Sequence, residues 1–120
     1  MISLSETKKD FSYNSVLGEQ HKFFNVMLDG KEIGNLEYVE KDDIIEIVSI
    51  YVNQEYRNKG IGKEILKLLK NGNIKYFIMM VTRQSKRFWM KLGAEPIQKE
   101  DYVTTKFTKN FIKDYYCIQV

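Results

Sequence analysis

The chain has 120 residues, 43% hydrophobic and 13% aromatic, with a net charge of +3. That length suits one domain, residues 1–120, with a substantial core, and the composition is too apolar for a chain that stays unfolded. A single cysteine, Cys117, excludes a disulfide framework or a cysteine-based zinc site within the chain, and the mild charge forms no stripe of the kind that tracks a nucleic acid.

Residues Met1 to Gln20 are polar and weakly patterned, with room for one short strand or helix. They hold no signal-like apolar stretch, and no run in the chain approaches the roughly 20 apolar residues that span a bilayer. A cytoplasmic protein without membrane contact is the expectation. His21–Leu28 reads as a strand, Asp29-Gly30 as a tight hairpin turn and Lys31–Val39 as the returning strand. Lys41–Asp43 is the next turn. It leads into Ile44–Val52, a β-branched run that reads as a buried strand.

The stretch Val52-Asn53-Gln54-Glu55-Tyr56-Arg57-Asn58-Lys59-Gly60-Ile61-Gly62 joins that strand to Lys63–Lys70, an amphipathic helix with Ile61, Ile65, Leu68 and Leu69 on one face. A basic, glycine-bearing turn between a strand end and a helix start aims unpaired N–H groups and the positive end of the helix dipole at one spot. Such a spot suits phosphate or pyrophosphate. The spacing fits neither a P-loop nor the three-glycine dinucleotide fingerprint, whose third glycine would stand where Ile65 does.

Asn71-Gly72-Asn73 stops the helix, Ile74–Val81 reads as another buried strand, and Ser85–Ala94 reads as a short helix with Phe88, Trp89 and Leu92 on it, closed by Gly93. From Pro96 to Val120 the pattern gives two further strands, the second at Tyr115–Val120, with Thr108–Lys113 between them as a loop or helical turn. The expected fold class is α+β, a mixed, mostly antiparallel sheet flanked by helices.

Arg57-x-x-Gly60-x-Gly62 after a strand resembles the coenzyme A pyrophosphate loop of the GNAT superfamily of N-acetyltransferases, and the aromatic helix ending Lys91-Leu92-Gly93 resembles that family's second signature. The resemblance is good over Asp43 to Ala94. It implies a GNAT-like fold in which the Ile44–Val52 strand splays from Ile74–Val81. Acetyl-CoA would lie with its pantetheine arm along Ile50, Tyr51 and Val52. Its pyrophosphate would lie on Arg57, Asn58, Lys59, Gly60, Ile61, Gly62 and Lys63, with Trp89 close by. It also implies direct transfer of the acetyl group from acetyl-CoA to a primary amine, on a small molecule or a protein.

Such a reaction needs a route for the amine proton, a donor to the developing oxyanion and a proton for the leaving thiolate. A backbone N–H of Tyr51 or Val52 suits the oxyanion. Glu46, the one carboxylate inside the Ile44–Val52 strand, is the candidate base, its place resembling that of the family's glutamate base; Glu37 is the reserve. His21, the only histidine, reads as structural.

Two departures from the family pattern stand out. Trp89 occupies the position where members often carry a tyrosine acid, and the helices that usually precede the second strand have no room here. The first departure keeps open a non-catalytic acyl-CoA-binding module. The second implies an open acceptor cleft, a large acceptor such as a protein, or a wall lent by a second subunit, so a homodimer is compatible with the chain.

Overall fold

The computed structural model describes residues 1–8, 17–18, 20–97 and 114–120. The elements are β1 (Ile2–Glu6), β2 (Lys22–Leu28), β3 (Lys31–Lys41), β4 (Ile44–Val52), a 3₁₀ turn at Gln54–Tyr56, α1 (Ile61–Leu69), β5 (Tyr76–Met80), α2 (Lys86–Lys91), β6 (Glu95–Pro96) and β7 (Tyr115–Gln119). The strands form one sheet in the order β1-β2-β3-β4-β5-β7-β6.

Local chemistry explains the first half. Asp29 and Gly30 both take positive φ, 50° and 85°, as a two-residue hairpin turn demands. Asp42, with φ 56°, helps turn β3 into β4. The result is the expected meander, antiparallel from β1 through β4. The first segment supplies a strand at the sheet edge. The crossover through α1 then makes β5 parallel to β4, the one parallel pairing in the sheet, and β7 returns antiparallel on the far side of β5.

Two irregularities shape β3 and β4. In the first, Val26 pairs with Gly34 and Met27 with Glu32, so Ile33 is the extra residue. In the second, Tyr38 pairs with Ile47 and Glu37 with Ser49, so Val48 is the extra residue on β4. The parallel register of β4 with β5 covers only Ile44 to Ile47, opposite Tyr76 to Met79. Past the bulge, β4 keeps β3 but has lost β5, which is the expected splay.

Alternation sorts side chains to two faces. One face carries Val26, Leu36, Tyr38, Ile45, Ile47, Phe77 and Met79 against Ile65, Leu66, Leu69 and Trp89 of the helices. The other carries Val39, Ile44, Ile78 and Tyr115 against Leu17 and Ile97. Ile65, fully buried at the centre of the helix face, and Leu69 one turn on fix α1 to the sheet. Leu68, expected on that face, is about half exposed instead. The strand expected from Ile74 begins at Tyr76, because Ile74 N–H closes a turn onto the Asn71 carbonyl. β6 covers Glu95–Pro96; residues 98–113, on which most of the first expected tail strand and the Thr108–Lys113 connection fall, lie outside the described residues.

Candidate functional site

The turn between β4 and α1 is built from backbone that only certain residues accept. Asn58 has φ 62° and Gly60, the residue capping α1, has φ 77°. Asparagine is among the few side chains that tolerate this region, and glycine is at home there. Gly60 brings no side chain to cap the helix, and the first intrahelical bond runs from Glu64 N–H to the Gly60 carbonyl. The N–H groups of Ile61, Gly62 and Lys63 therefore face outward at the positive end of the helix. Gly62 serves a second purpose: a Cβ there would lie 2.6 Å from the Phe88 ring, so its absence lets α2 close over the start of α1.

Arg57 ties the turn to the strand. Its Nε donates to the Val52 carbonyl at 2.8 Å, and its guanidinium sits 5.2 Å from the centre of the Tyr51 ring. Lys91 on α2 reaches back to the Asn58 side chain at 3.4 Å.

Between the free length of β4, the turn and α2 lies a cavity of about 810 Å³. Its walls include Ile50, Tyr51, Val52, Arg57, Asn58, Gly60, Ile61, Gly62, Lys63 and Trp89, so ten of the eleven residues expected to hold a cofactor converge here. Lys59 is the exception; its ammonium lies over the Tyr56 ring, 5.8 Å from the centre. The fold adds Tyr56, Gln84, Ser85, Arg87, Phe88, Lys91 and Leu92. Four cations, Arg57, Lys63, Arg87 and Lys91, line the cavity, and no carboxylate does so among the described residues. Arg87 and Lys91 stand one helical turn apart on α2, a spacing visible in the sequence; what it could not show is that α2 closes over the loop.

Trp89 is 3% exposed and meets Phe88 edge to face, ring centres 4.9 Å apart. It is a wall of the cavity and part of the core together.

Glu46 lies elsewhere. It is 2% exposed, on the sheet face opposite the described helices, paired across the sheet with Val39 and Ile78. The Leu17 N–H donates to its Oε1 at 3.1 Å and the Tyr115 hydroxyl to its Oε2 at 3.2 Å. The Tyr115 hydroxyl is pushed well above the usual tyrosine range, first by burial and then by the Glu46 charge it faces. Glu37, 1% exposed on the same face, is hydrogen-bonded through Oε2 to Nδ1 of His21. No group of three His, Cys, Asp or Glu side chains suited to a metal occurs among the described residues. None of their helices is long and apolar enough to cross a membrane.

The fold recurs in solved structures. GCN5 of Tetrahymena superposes with a TM-score of 0.65 at 16% identity, over 83% of this chain and 68% of that one. An IAA acetyltransferase from Bacillus cereus gives 0.62 at 17%, over the whole of both chains. A GNAT family acetyltransferase from Elizabethkingia anophelis, with acetyl-CoA bound, gives 0.61 at 16%, over all of this chain and 97% of its own. Likeness at such identity shows the fold alone: a mixed, mostly antiparallel sheet with few helices. None of the curated protein sequences compared matches the chain. The family comes from the sequence itself. The pattern of the acetyltransferase (GNAT) domain matches residues 19–93, more than half of the chain, and on that match the protein belongs to the GNAT acetyltransferase family.

Proposed function

We propose that the chain is an acetyl-CoA-dependent N-acetyltransferase that passes the acetyl group directly to a primary amine. The observation that carries this is the cavity with four cations and no described carboxylate, at the meeting point of a helix N-terminus and a strand that has shed its neighbour. The two ends of coenzyme A need those two features. Its pyrophosphate needs N–H donors and positive charge. Its pantetheine amides need an unpaired strand to hydrogen-bond. Gly60, Gly62, Lys63 and the outward N–H groups of α1 suit the pyrophosphate, and Ile50, Tyr51 and Val52 suit the pantetheine. Support for the acetyl group comes from the structural neighbour that has acetyl-CoA bound.

In this reading an N–H of the β4 edge donates to the oxyanion. The thiolate leaves without a dedicated acid, helped by an ordinary thiol pKa of about 8.5. The Tyr115 hydroxyl is a poor proton donor, since burial and Glu46 both oppose its ionisation. Glu46, the base expected from the sequence, is already served by two donors and covered by Leu17.

The chain is to be titrated by calorimetry with acetyl-CoA and with free coenzyme A, and the titration repeated on Gly60→Glu. The expected result is binding of both ligands by the native chain and its loss in the variant, whose carboxylate would face the pyrophosphate. No binding by the native chain overturns the proposal. A thiol-release assay over primary amines then separates an enzyme from a non-catalytic acyl-CoA-binding module, the second reading, which buried Trp89 at the family's tyrosine position favours. Binding without thiol release in the presence of any amine tested would support that module.

A further inference from the structure

We infer that His21, oriented by Glu37, takes the proton from the acceptor amine. The inference rests on the acetyltransferase reading above and adds the group that prepares the nucleophile.

Position comes first. Glu37 pairs across the sheet with Ser49, the first residue of β4 beyond the bulge. From Ser49 on, past the bulge, β4 runs without β5, next to the Ile50–Val52 stretch proposed to hold the thioester arm. Glu46 sits lower, in the stretch where β4 is still paired with β5, under Leu17 and Tyr115. Glu37 shares its face with Phe23, its partner on β2, and His21 stacks on Phe23 with ring centres 6.2 Å apart.

The chemistry fits that position. The Glu37 carboxylate, 1% exposed, bonds Nδ1 of the imidazole, whose side chain keeps 13% exposure. A carboxylate holding one ring nitrogen as N–H fixes the tautomer and leaves the other nitrogen with its lone pair. The same face carries a further acceptor. Asn25, two residues from Phe23 on β2, has a buried Oδ1 with no hydrogen-bond partner among the described residues. A carboxylate and an amide oxygen on the same sheet face suit a donor ligand, and an ammonium is one.

The step balances as follows. The acceptor arrives as R–NH₃⁺ and gives one proton to the free nitrogen of His21. The amine lone pair attacks the thioester carbon, and the carbonyl electrons move onto oxygen. On collapse the C=O re-forms, the C–S bond breaks, and the remaining excess proton on nitrogen passes to the departing sulfur. The imidazolium then returns its proton to solvent. The sum is ammonium plus acetyl-CoA giving amide, free coenzyme A and one proton.

His21 is the only histidine of the chain, so its ring signals in a ¹⁵N-histidine-labelled sample need no assignment. Saturating the native chain with acetyl-CoA is expected to shift those signals, and Glu37→Gln is expected to change the ring-nitrogen shifts before any ligand is added. With butylamine as a minimal acceptor, His21→Gln should lower kcat by about 100-fold, within the range of general-base effects, while acetyl-CoA affinity stays the same. Glu46→Gln should cost much less. Histidine signals unmoved by saturating acetyl-CoA overturn the inference while leaving the cofactor reading intact, and so does a His21→Gln variant with kcat within about 3-fold of native. If butylamine is not acetylated, the histidine signals alone decide. If acetyl-CoA does not bind at all, the acetyltransferase reading fails and takes the inference with it.

Discussion

Two glycines mark where the chain has no room for a methyl group, and they fail differently. A Cβ on Gly34 would stand 2.0 Å from the Tyr51 carbonyl oxygen, which is backbone and cannot swing aside. On Gly62 it would meet the far end of the Phe88 ring, which can. We expect Gly34→Ala to lose stability by about 1–3 kcal/mol, the usual cost of forcing an atom into packed structure. Because the displaced strand is the one proposed to hold the pantetheine, affinity for coenzyme A should fall with it. Gly62→Ala should melt close to the native temperature yet bind coenzyme A more weakly, since Phe88 yields toward the cavity it lines. Thermal melts and titrations on the two variants separate the cases. Neither glycine takes a left-handed φ, so close approach is what each position demands.

At the level of elements, the free length of β4 depends on Arg57. Its Nε bond to the Val52 carbonyl, with the stacking on Tyr51, fixes the angle at which the strand enters the turn. Arg57→Lys keeps the charge but has neither the fork nor the planar face. It is expected to weaken coenzyme A binding by about 10-fold, the worth of one such bond, without a comparable loss of folding stability. Calorimetry beside a melting curve tests this. The elements near the turn were legible because their signals are local: Asp29-Gly30 closes a hairpin, β-branched residues fill Ile44–Val52, and glycines open α1. The bulge at Val48 was not, since nothing in Ile47-Val48-Ser49 distinguishes an extra residue from a regular one; it arises from the register that Glu37 and Tyr38 impose. The pairing of His21 with Glu37 was hidden likewise. Sixteen residues separate them, and only the β2–β3 register brings them together. Glu46 was legible as the one carboxylate within the strand, but its partners Leu17 and Tyr115 come from distant parts of the chain.

Across the whole molecule, the Tyr115–Glu46 bond ties the last strand to the fourth, and it carries a pH signature. The native hydroxyl is held above its ordinary value by burial and by Glu46, so the folded state keeps this proton where the unfolded chain has given it up. The associated stability is whole below about pH 10, the ordinary tyrosine value, and is lost as pH rises from there through the raised folded value. Alkaline melts of the native chain should therefore fall more steeply than those of Tyr115→Phe. A second global effect follows from linkage. If the proposed cofactor binds, acetyl-CoA at about 100 times its Kd would stabilise the folded state by about 2.7 kcal/mol, which in a domain of this size would raise Tm by on the order of 10 °C. A melt with and without the ligand reads it directly. Both effects converge on the short seam where β4 meets β5. The ladder there runs from Ile44 to Ile47 and their four partners, with the Asp43 carbonyl taking Lys75 N–H just before it, so the sheet amounts to two plates joined by a short seam, one from β1 to β4 and the other from β5, β7 and β6. An extended ligand lying in the gap would act as the missing rib between the plates. The empty protein is then the compliant form and the loaded one the stiff form, with the difference concentrated where acyl transfer must bring three reacting atoms into line.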